Sequence, residues 1–261
     1  MAENSKIEWT EHTFNPWWGC TKVSPACDNC YAEAWAKRTG HEVWGAKSGR
    51  RRMSESHWSN PIRWDRTAAA SNIRARVFCA SMADVFEWKS GLSDDRKRLW
   101  ELIESTPNLD WLLLTKRPHL VSRLAPWGEN WPENVWLGVT VENQKFAEKR
   151  LVHLLSIRAH VRFLSCEPLL GPLDLSKWID RLHWVIAGGE SGPRARKSNP
   201  AWFRSVRDQC RDTGVGFHFK QWGDWFPLEE SPENVVFERR GKVRSGRLLD
   251  GQTWDELPSV N

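Results

Sequence analysis

Short apolar runs recur along the chain, and amphipathic segments separate them. Most of these runs are nearly continuous in apolar residues rather than alternating, which is typical of parallel strands covered on both faces. The runs that predict strands are Arg76–Ala80, Asp110–Leu114, Asn134–Gly138, Val161–Leu164, His183–Ala187 and Val215–Phe219. The segments that predict helices are 94–105, 118–124, 144–156 and 200–213.

Strand and helix patterns that alternate in this way predict repeated βαβ units. With a first strand over residues 13–18, the chain has six or seven units and is predicted to be α/β, a partial or closed (β/α)6-7 TIM-like barrel. In the tail, Val235–Arg239 and Lys242–Leu249 flank Gly241 and predict a small β-hairpin. The predicted domains are a barrel over 1–225, with a loop at 20–30 and an insertion at 32–67, and an extension over 226–261.

The composition is that of a soluble globular chain, with 261 residues of which 40% are hydrophobic and 27% charged. No apolar run is long enough to span a bilayer, and the first residues do not resemble a signal peptide. We therefore expect a cytoplasmic protein with no membrane partner. In a reducing compartment the six cysteines, three of them within eleven residues, favour a metal-binding loop and single buried thiols over disulfides.

The strongest chemical signal is the cluster of Cys20, Cys27 and Cys30, spaced C-x6-C-x2-C in a loop that contains glycine and proline. Three thiolates can hold a soft metal centre and leave one coordination position for a substrate or cofactor. A fourth cysteine in the loop would close that position. The loop therefore predicts a reactive metal centre.

Charged residues follow most of the predicted strands. Because the carboxyl ends of parallel strands lie on one face of a barrel, we expect these side chains to converge on one site. For each of them, a salt bridge inside the barrel is the alternative interpretation. The residues are Asp84, Lys116, Glu142, Glu167, Glu190 and Lys220.

A three-cysteine loop in the first βα connection of a parallel barrel resembles the radical S-adenosylmethionine (SAM) superfamily. The commoner spacing there is C-x3-C-x2-C with an aromatic residue before the third cysteine, where this chain has Asn29. The chain as a whole is similar to a three-Cys-motif family of phages and prophages with no assigned reaction, and Cys-Tyr-Ala at 30–32 is similar to the spore photoproduct lyase branch, which acts on DNA. The motifs that carry the wider similarity are Asn15–Pro25, Cys27–Glu33, Leu114–Pro118, Gly138–Glu142, Glu167–Leu169 and Gly188–Gly192.

The resemblance implies a [4Fe-4S] cluster on Cys20, Cys27 and Cys30, and SAM cleaved reductively to a deoxyadenosyl radical. It also implies a reductant protein as a partner and a substrate that is a candidate nucleotide or nucleic acid. The residues expected to bind the cofactor are Asp84, Glu142, Gly188, Gly189 and Glu190. The candidate catalytic residues are Cys166, Glu167 and Lys116.

Two other functions stay open from the sequence. The three cysteines with His12 or His41 would make a tetrahedral zinc site, and a cluster-binding protein without catalysis would be an interaction module. A net charge of +5 is compatible with nucleic-acid binding. Trp44, Trp58 and Trp64 are candidate stacking platforms for bases, and packing in the core or at a domain surface is the favoured alternative for most tryptophans. The basic runs, which are otherwise solvated loops, are Lys47–Arg52, Arg194–Lys197 and Arg239–Arg247.

Overall fold

A computed structural model describes residues 3, 5–229 and 234–259 of the chain. Its strands are β1 (His12–Thr13), β2 (Trp17–Trp18), β3 (Arg51–Arg52), β4 (Ala75–Cys79), β5 (Leu109–Thr115), β6 (Val135–Thr140), β7 (Val161–Cys166), β8 (Trp184–Gly188), β9 (Gly216–Gln221), β10 (Trp225–Glu229) and β11 (Val235–Arg239). Its helices are α1 (Tyr31–Arg38), α2 (Glu55–Trp58), α3 (Asn60–Ala70), α4 (Ser93–Glu104), α5 (Val121–Leu124), α6 (Gln144–Leu154), α7 (Pro200–Thr213) and α8 (Lys242–Ser245). Single 3-10 turns occupy Pro25–Cys27, Pro118–Leu120 and Ile179–Arg181.

Seven strands form the main sheet, in the order β1-β4-β5-β6-β7-β8-β9. The pairs β1–β4, β4–β5, β7–β8 and β8–β9 are parallel. All residues of β6 and β8 are buried, which explains why these strands are almost continuously apolar. The predicted α/β fold is confirmed, and the sheet ends at β1 and β9, in agreement with the partial form of the barrel.

The predicted first strand over 13–18 is wrong in its extent, because it is two separate strands. β1 pairs in parallel with β4 in the main sheet, whereas β2 pairs with β3 in an antiparallel ribbon of its own. Pro16 lies between them and has no N–H to donate to a ladder. The side chain of Asn15 instead accepts a 2.6 Å hydrogen bond from the backbone N–H of Met82.

The C-terminal hairpin is present, but its strands differ from the predicted ones. β10 pairs with β11 in antiparallel register, with Trp225 opposite Arg239. The expectation that Lys242–Leu249 would be a strand is wrong, since α8 begins directly after Gly241. The sequence pattern did not identify β10 because Pro227 interrupts it, and proline is accepted in the edge strand of a small ribbon.

The chain divides into two compact units, each with its own aromatic core. The first comprises Met1–Val23, Ala32–Gly138 and Ser156–His160, and the second comprises Ser24–Tyr31, Val139–Leu155 and Val161–Asn261. The predicted division at residue 225 stays a prediction.

In the first unit, the ring of Phe14 makes edge contacts with Trp58 and Trp111. In the second, the ring of Phe203 makes edge contacts with Phe219 and Trp222. Contacts of this kind stabilise a core beyond the area that they bury.

Within the described ranges, no helix has the length and apolar character that crossing a membrane requires.

Two of the three candidate stacking tryptophans are core residues of the first unit, in agreement with the alternative interpretation. Trp58 and Trp64 are each only 4% exposed. The guanidinium of Arg98 covers Trp58 at 4.4 Å, and the ring of His12 stacks on Trp64 at 4.3 Å. Trp44 is half-buried.

Candidate functional site

Cys20 follows β2 and a glycine that no other residue could replace without strain. Gly19 has a φ of +115°, and a Cβ atom on it would lie 2.3 Å from the carbonyl oxygen of Val43. The backbone N–H of Gly19 also donates to the carbonyl of Met82 at 3.0 Å. Close packing of the backbone at Gly19 therefore fixes where the cysteine loop begins. Cys20, the next residue, is half-buried.

Arg117 anchors Cys20. Its Nη1 lies 3.6 Å from the Sγ of Cys20 and 2.8 Å from Oδ2 of Asp84, and its Nη2 donates to the carbonyl of Thr21 at 2.6 Å. The side chains of Arg117 and Asp84 are each only 7% exposed. One buried guanidinium thus holds both the first cysteine and the residue after it.

Both oxygens of the Asp84 carboxylate accept two hydrogen bonds each from other groups of the protein. Its Oδ1 accepts from Thr115 Oγ1 at 2.8 Å and from the Phe86 N–H at 3.0 Å. Its Oδ2 accepts from Arg117 and from the backbone N–H of Lys116 at 3.1 Å. The predicted cofactor contact of Asp84 stays a prediction, and in the structure this carboxylate orders the turn after β5, where the half-buried Lys116 lies.

The environment of Cys20 favours a neutral thiol when no metal is bound. Burial, together with the negative charge of Asp84, raises the pKa of Cys20 to about 12, while Arg117 acts in the opposite direction. A metal that binds Cys20 must therefore displace a proton, as is usual for thiolate ligands.

Arg50, from the first basic run, is not part of a charged surface. Its side chain is 2% exposed and donates to both oxygens of Glu87 at 2.8 Å. It also donates to Thr21 Oγ1 at 3.0 Å. Sequence reasoning missed this role, because nothing local distinguishes Arg50 from its exposed neighbours Arg51 and Arg52.

The second half of the cysteine loop is held within the second unit. Cys27 is buried at the end of a 3-10 turn, and the half-buried Cys30 directly precedes α1. Between them, Asn29 Nδ2 donates to Oε2 of Glu190 at 3.0 Å and to the carbonyl of Arg194 at 2.8 Å. Asn29, which departs from the commoner aromatic residue, therefore has a structural task in this chain.

Glu190 and Arg196 form the anchor of this segment. Arg196 donates through Nε to Oε2 of Glu190 at 2.9 Å and through Nη2 to Oε1 at 2.5 Å. The same Nη2 donates to the carbonyl of Pro25 at 2.9 Å. Burial would raise the pKa of Glu190, but the hydrogen bonds from Arg196 and Asn29 outweigh it and hold the pKa below its ordinary value.

At the end of β8, Gly189 is required by close backbone packing, whereas Gly188 faces the end of a side chain. A Cβ atom on Gly189 would lie 1.9 Å from the carbonyl oxygen of Trp222, and one on Gly188 would lie 3.1 Å from Oε1 of Glu167. The backbone contact explains Gly189 without a ligand. Their predicted contact with a cofactor stays a prediction.

The candidate catalytic residues at the end of β7 differ in accessibility. Glu167 is half-buried, and its Oε1 lies 2.9 Å from Nζ of Lys220, so two of the predicted polar residues meet here. Cys166 is fully buried, and burial raises the pKa of its thiol well above the ordinary value. A neutral buried thiol is a poor nucleophile, although it can still give up a hydrogen atom.

In the described part of the second unit, one buried carboxylate oxygen and one buried amide oxygen lack a hydrogen-bond donor. Glu142 is fully buried; its Oε2 accepts from Arg150 at 2.7 Å, but its Oε1 has no donor. Oε1 of Gln221 has none either. Since buried polar atoms are normally satisfied, these acceptors fit a ligand that donates through an amine or a hydroxyl.

The thiols themselves fit an iron–sulfur cluster in their chemistry. All six cysteines are free, so Cys20, Cys27 and Cys30 are available as three soft ligands. In the part of the chain that the structure covers, no three His, Cys, Asp or Glu side chains converge as they would around a single ion. In a four-iron cluster each cysteine binds a different iron, so such convergence is not needed.

Comparison with solved structures shows a fold similar to that of spore photoproduct lyase. A point mutant of that enzyme matches with 14% identity and a TM-score of 0.51, covering 91% of this chain and 70% of that chain. Another mutant, with bound AdoMet and dinucleoside spore photoproduct, matches with 12% identity and a TM-score of 0.49, covering 88% of this chain and 60% of that chain. At 14% identity, the likeness to the first of these mutants shows the fold alone.

Comparison by sequence gives the family. No curated protein matches the chain. The family model described as "Protein of unknown function (DUF5131)" matches residues 4–258, which is nearly the whole sequence. The chain therefore belongs to the DUF5131 family.

Proposed function

We propose that this protein is a [4Fe-4S]-dependent enzyme of the radical SAM type, with Cys20, Cys27 and Cys30 as the cluster ligands. The observation that carries the proposal is the loop of three free thiols, in which each half is held by an arginine–carboxylate pair of its own. The parallel α/β fold that is similar to spore photoproduct lyase supports it. When bound, such a cluster supplies the electron that cleaves the sulfonium of SAM.

The chain's own residues would do the positioning. Arg117 holds Cys20 through its hydrogen bond to Sγ, while Arg196 and Glu190 order the segment that contains Cys27. Oε1 of Glu142 offers a buried acceptor to the amine or a ribose hydroxyl of SAM. None of these groups carries the redox step, so their task is orientation and exclusion of water.

The pair of Glu167 and Lys220 is the proposed substrate contact. At 2.9 Å the two side chains neutralise each other, yet both are half-buried and can exchange this bond for one to a substrate. Lys116 is also half-buried and offers a positive charge to a phosphate. We propose a nucleotide or nucleic acid as the substrate class and a separate reductant protein as the source of electrons.

Anaerobic purification with iron, sulfide and zinc analysis tests the proposal. We expect about four irons per chain, lost in Cys27→Ala and kept in Cys210→Ala, which removes a buried thiol outside the loop. Incubation of the protein with dithionite and SAM should then release 5′-deoxyadenosine. Stoichiometric zinc without iron would overturn the proposal, and iron without deoxyadenosine would leave a cluster protein without catalysis.

A further inference from the structure

The second unit contains a cavity that is lined by none of the residues proposed to bind the cluster, SAM or the substrate. Its volume is about 500 Å³, within the range of small-molecule sites. The cavity lies among α7, β10, α8 and the loop that follows α8. The residues of its wall that matter here are Arg204, Trp222, Phe226, Arg244, Ser245 and Arg247.

The charge of the wall is positive. Three arginines line the cavity, and Asp250 is the one acidic residue among the lining residues that the structure describes. The carboxylate of Asp250 is already shared between Arg204, at 2.8 Å, and Arg207. Its negative charge is therefore offset before any ligand is considered.

Arg244 is placed to meet an anion. Its side chain is exposed, and its Nε donates to the carbonyl oxygen of Arg240 at 2.9 Å. Among the described residues, no carboxylate lies within ion-pair distance of this guanidinium. A hydrogen bond to a carbonyl orients the group but leaves its charge uncompensated.

Two buried polar atoms in the same wall have no hydrogen-bond partner within the described ranges. Ser245 is only 4% exposed, and its Oγ is unsatisfied. Nε of Arg247 is also buried and unsatisfied, although its Nη2 donates to Asp255. Since buried donors are normally paired, both atoms indicate a ligand that brings acceptor oxygens.

The remaining wall is apolar. Trp222, Phe226 and Pro227 line it, and the rings of Trp222 and Phe226 lie edge to face with centroids 6.4 Å apart. A ligand that fits must therefore combine anionic oxygens with a flat or apolar body. Phosphate oxygens accept from arginine and from a hydroxyl, and a nucleobase fills apolar space.

We propose that this cavity binds a phosphorylated nucleoside, with the phosphate on Arg244, Ser245 and Arg247 and the base against Trp222 and Phe226. The ligand is either a free mononucleotide or the phosphorylated end of a strand, since both present the same group. The site does not depend on a bound cluster. It goes beyond the proposed function, because it adds a second nucleotide site in the C-terminal part of the chain.

Calorimetric titration of the full chain with AMP and with adenosine tests the inference. We expect AMP to bind saturably, and Arg244→Gln to weaken it about tenfold by removing a charge-assisted hydrogen bond. Arg211→Gln is the matched control, because Arg211 is an exposed arginine at the end of α7 and outside the cavity. Cys27→Ala should bind AMP as the wild type does.

Ser245→Ala separates ligand binding from folding. It should weaken AMP binding several-fold, while the unfolding midpoint of the free protein stays equal or rises, because an unsatisfied buried hydroxyl is removed. A 5′-phosphorylated tetranucleotide that binds as AMP does would identify a strand end as the source, and failure of the tetranucleotide would identify the free nucleotide.

The proposal is overturned if adenosine binds as tightly as AMP, or if AMP does not bind at millimolar concentration. Equal loss of AMP binding in Arg211→Gln or in Cys27→Ala would overturn it as well, because binding would then not depend on this cavity.

Discussion

The two halves of the cysteine loop are anchored by the same chemistry in different surroundings. Cys20 is held by the pair of Arg117 and Asp84, whose side chains are each 7% exposed. The segment from Pro25 to Asn29 is held by Glu190 and Arg196, and the Arg196 side chain is 33% exposed. A guanidinium binds a carboxylate in both cases, but only the first pair is shielded from water.

This difference in solvent exposure indicates which of the two pairs holds its part of the loop rigidly. Removal of one partner from a buried pair leaves an uncompensated charge, which is costly. A pair that water reaches is screened by salt and contributes little. We infer that the first cysteine is set rigidly by the core, whereas the position of the other two responds to conditions.

The largest effect is expected from Arg117→Gln. It leaves Asp84 buried without its cation and should lower the free energy of unfolding by about 3–5 kcal/mol. Urea unfolding measures the loss. The double variant Arg117→Gln with Asp84→Asn should recover part of the lost stability, because no buried charge is then left alone. If Arg117→Gln alone lowered the free energy of unfolding by less than about 1 kcal/mol, the pair would not be a rigid anchor.

Arg196→Gln should have a smaller effect, since its guanidinium is partly solvated. We expect a loss of about 1 kcal/mol, reduced at high salt, together with faster amide exchange in residues 25–29. Hydrogen exchange followed by mass spectrometry compares the exchange rates of residues 25–29 in Arg196→Gln and in Arg117→Gln. Unchanged exchange in this segment would show that the pair does not order the loop.

The same pair predicts a dependence on pH. The pKa of Glu190 is lower in the folded chain than its ordinary value of 4.5, so the pair adds stability above about pH 4.5, and this is lost as the pH falls through the folded pKa. The stability difference between the wild type and Arg196→Gln should therefore shrink on acidification. Urea unfolding of the two proteins at several pH values from pH 7 down to about pH 3 follows this difference, and a difference that stays constant over the whole range would contradict the prediction.

The smallest effect is expected from Arg158→Ala. The pair of Arg158 and Glu129 is 75% and 72% exposed, so its loss should change stability by less than about 0.5 kcal/mol. This variant gives the baseline for the other two. If Arg158→Ala lowered the free energy of unfolding as much as Arg196→Gln does, solvent exposure would not explain the difference between the ion pairs.

Local signals determined the regular elements well. Helix α7 spans the predicted residues 200–213, because Pro200 begins it, Asn199 caps it and Gly214 ends it with a φ of +72°. The strands β4 to β9 lie within a few residues of the predicted ones. The first strand and the hairpin were misplaced, because a sequence pattern does not say which strand pairs with which.

In the candidate site, too, some features follow from the sequence alone and others only from the tertiary structure. The spacing of the cysteines and the alternation of strands and helices are properties of neighbouring residues, so the sequence by itself determined the α/β fold and the metal-binding hypothesis. The partners of the loop are remote, since Cys20 meets Arg117 and Asn29 meets Glu190. Only the tertiary structure decided these pairs, because a charged side chain can bond to whichever partner the packed strands bring within about 3 Å of it.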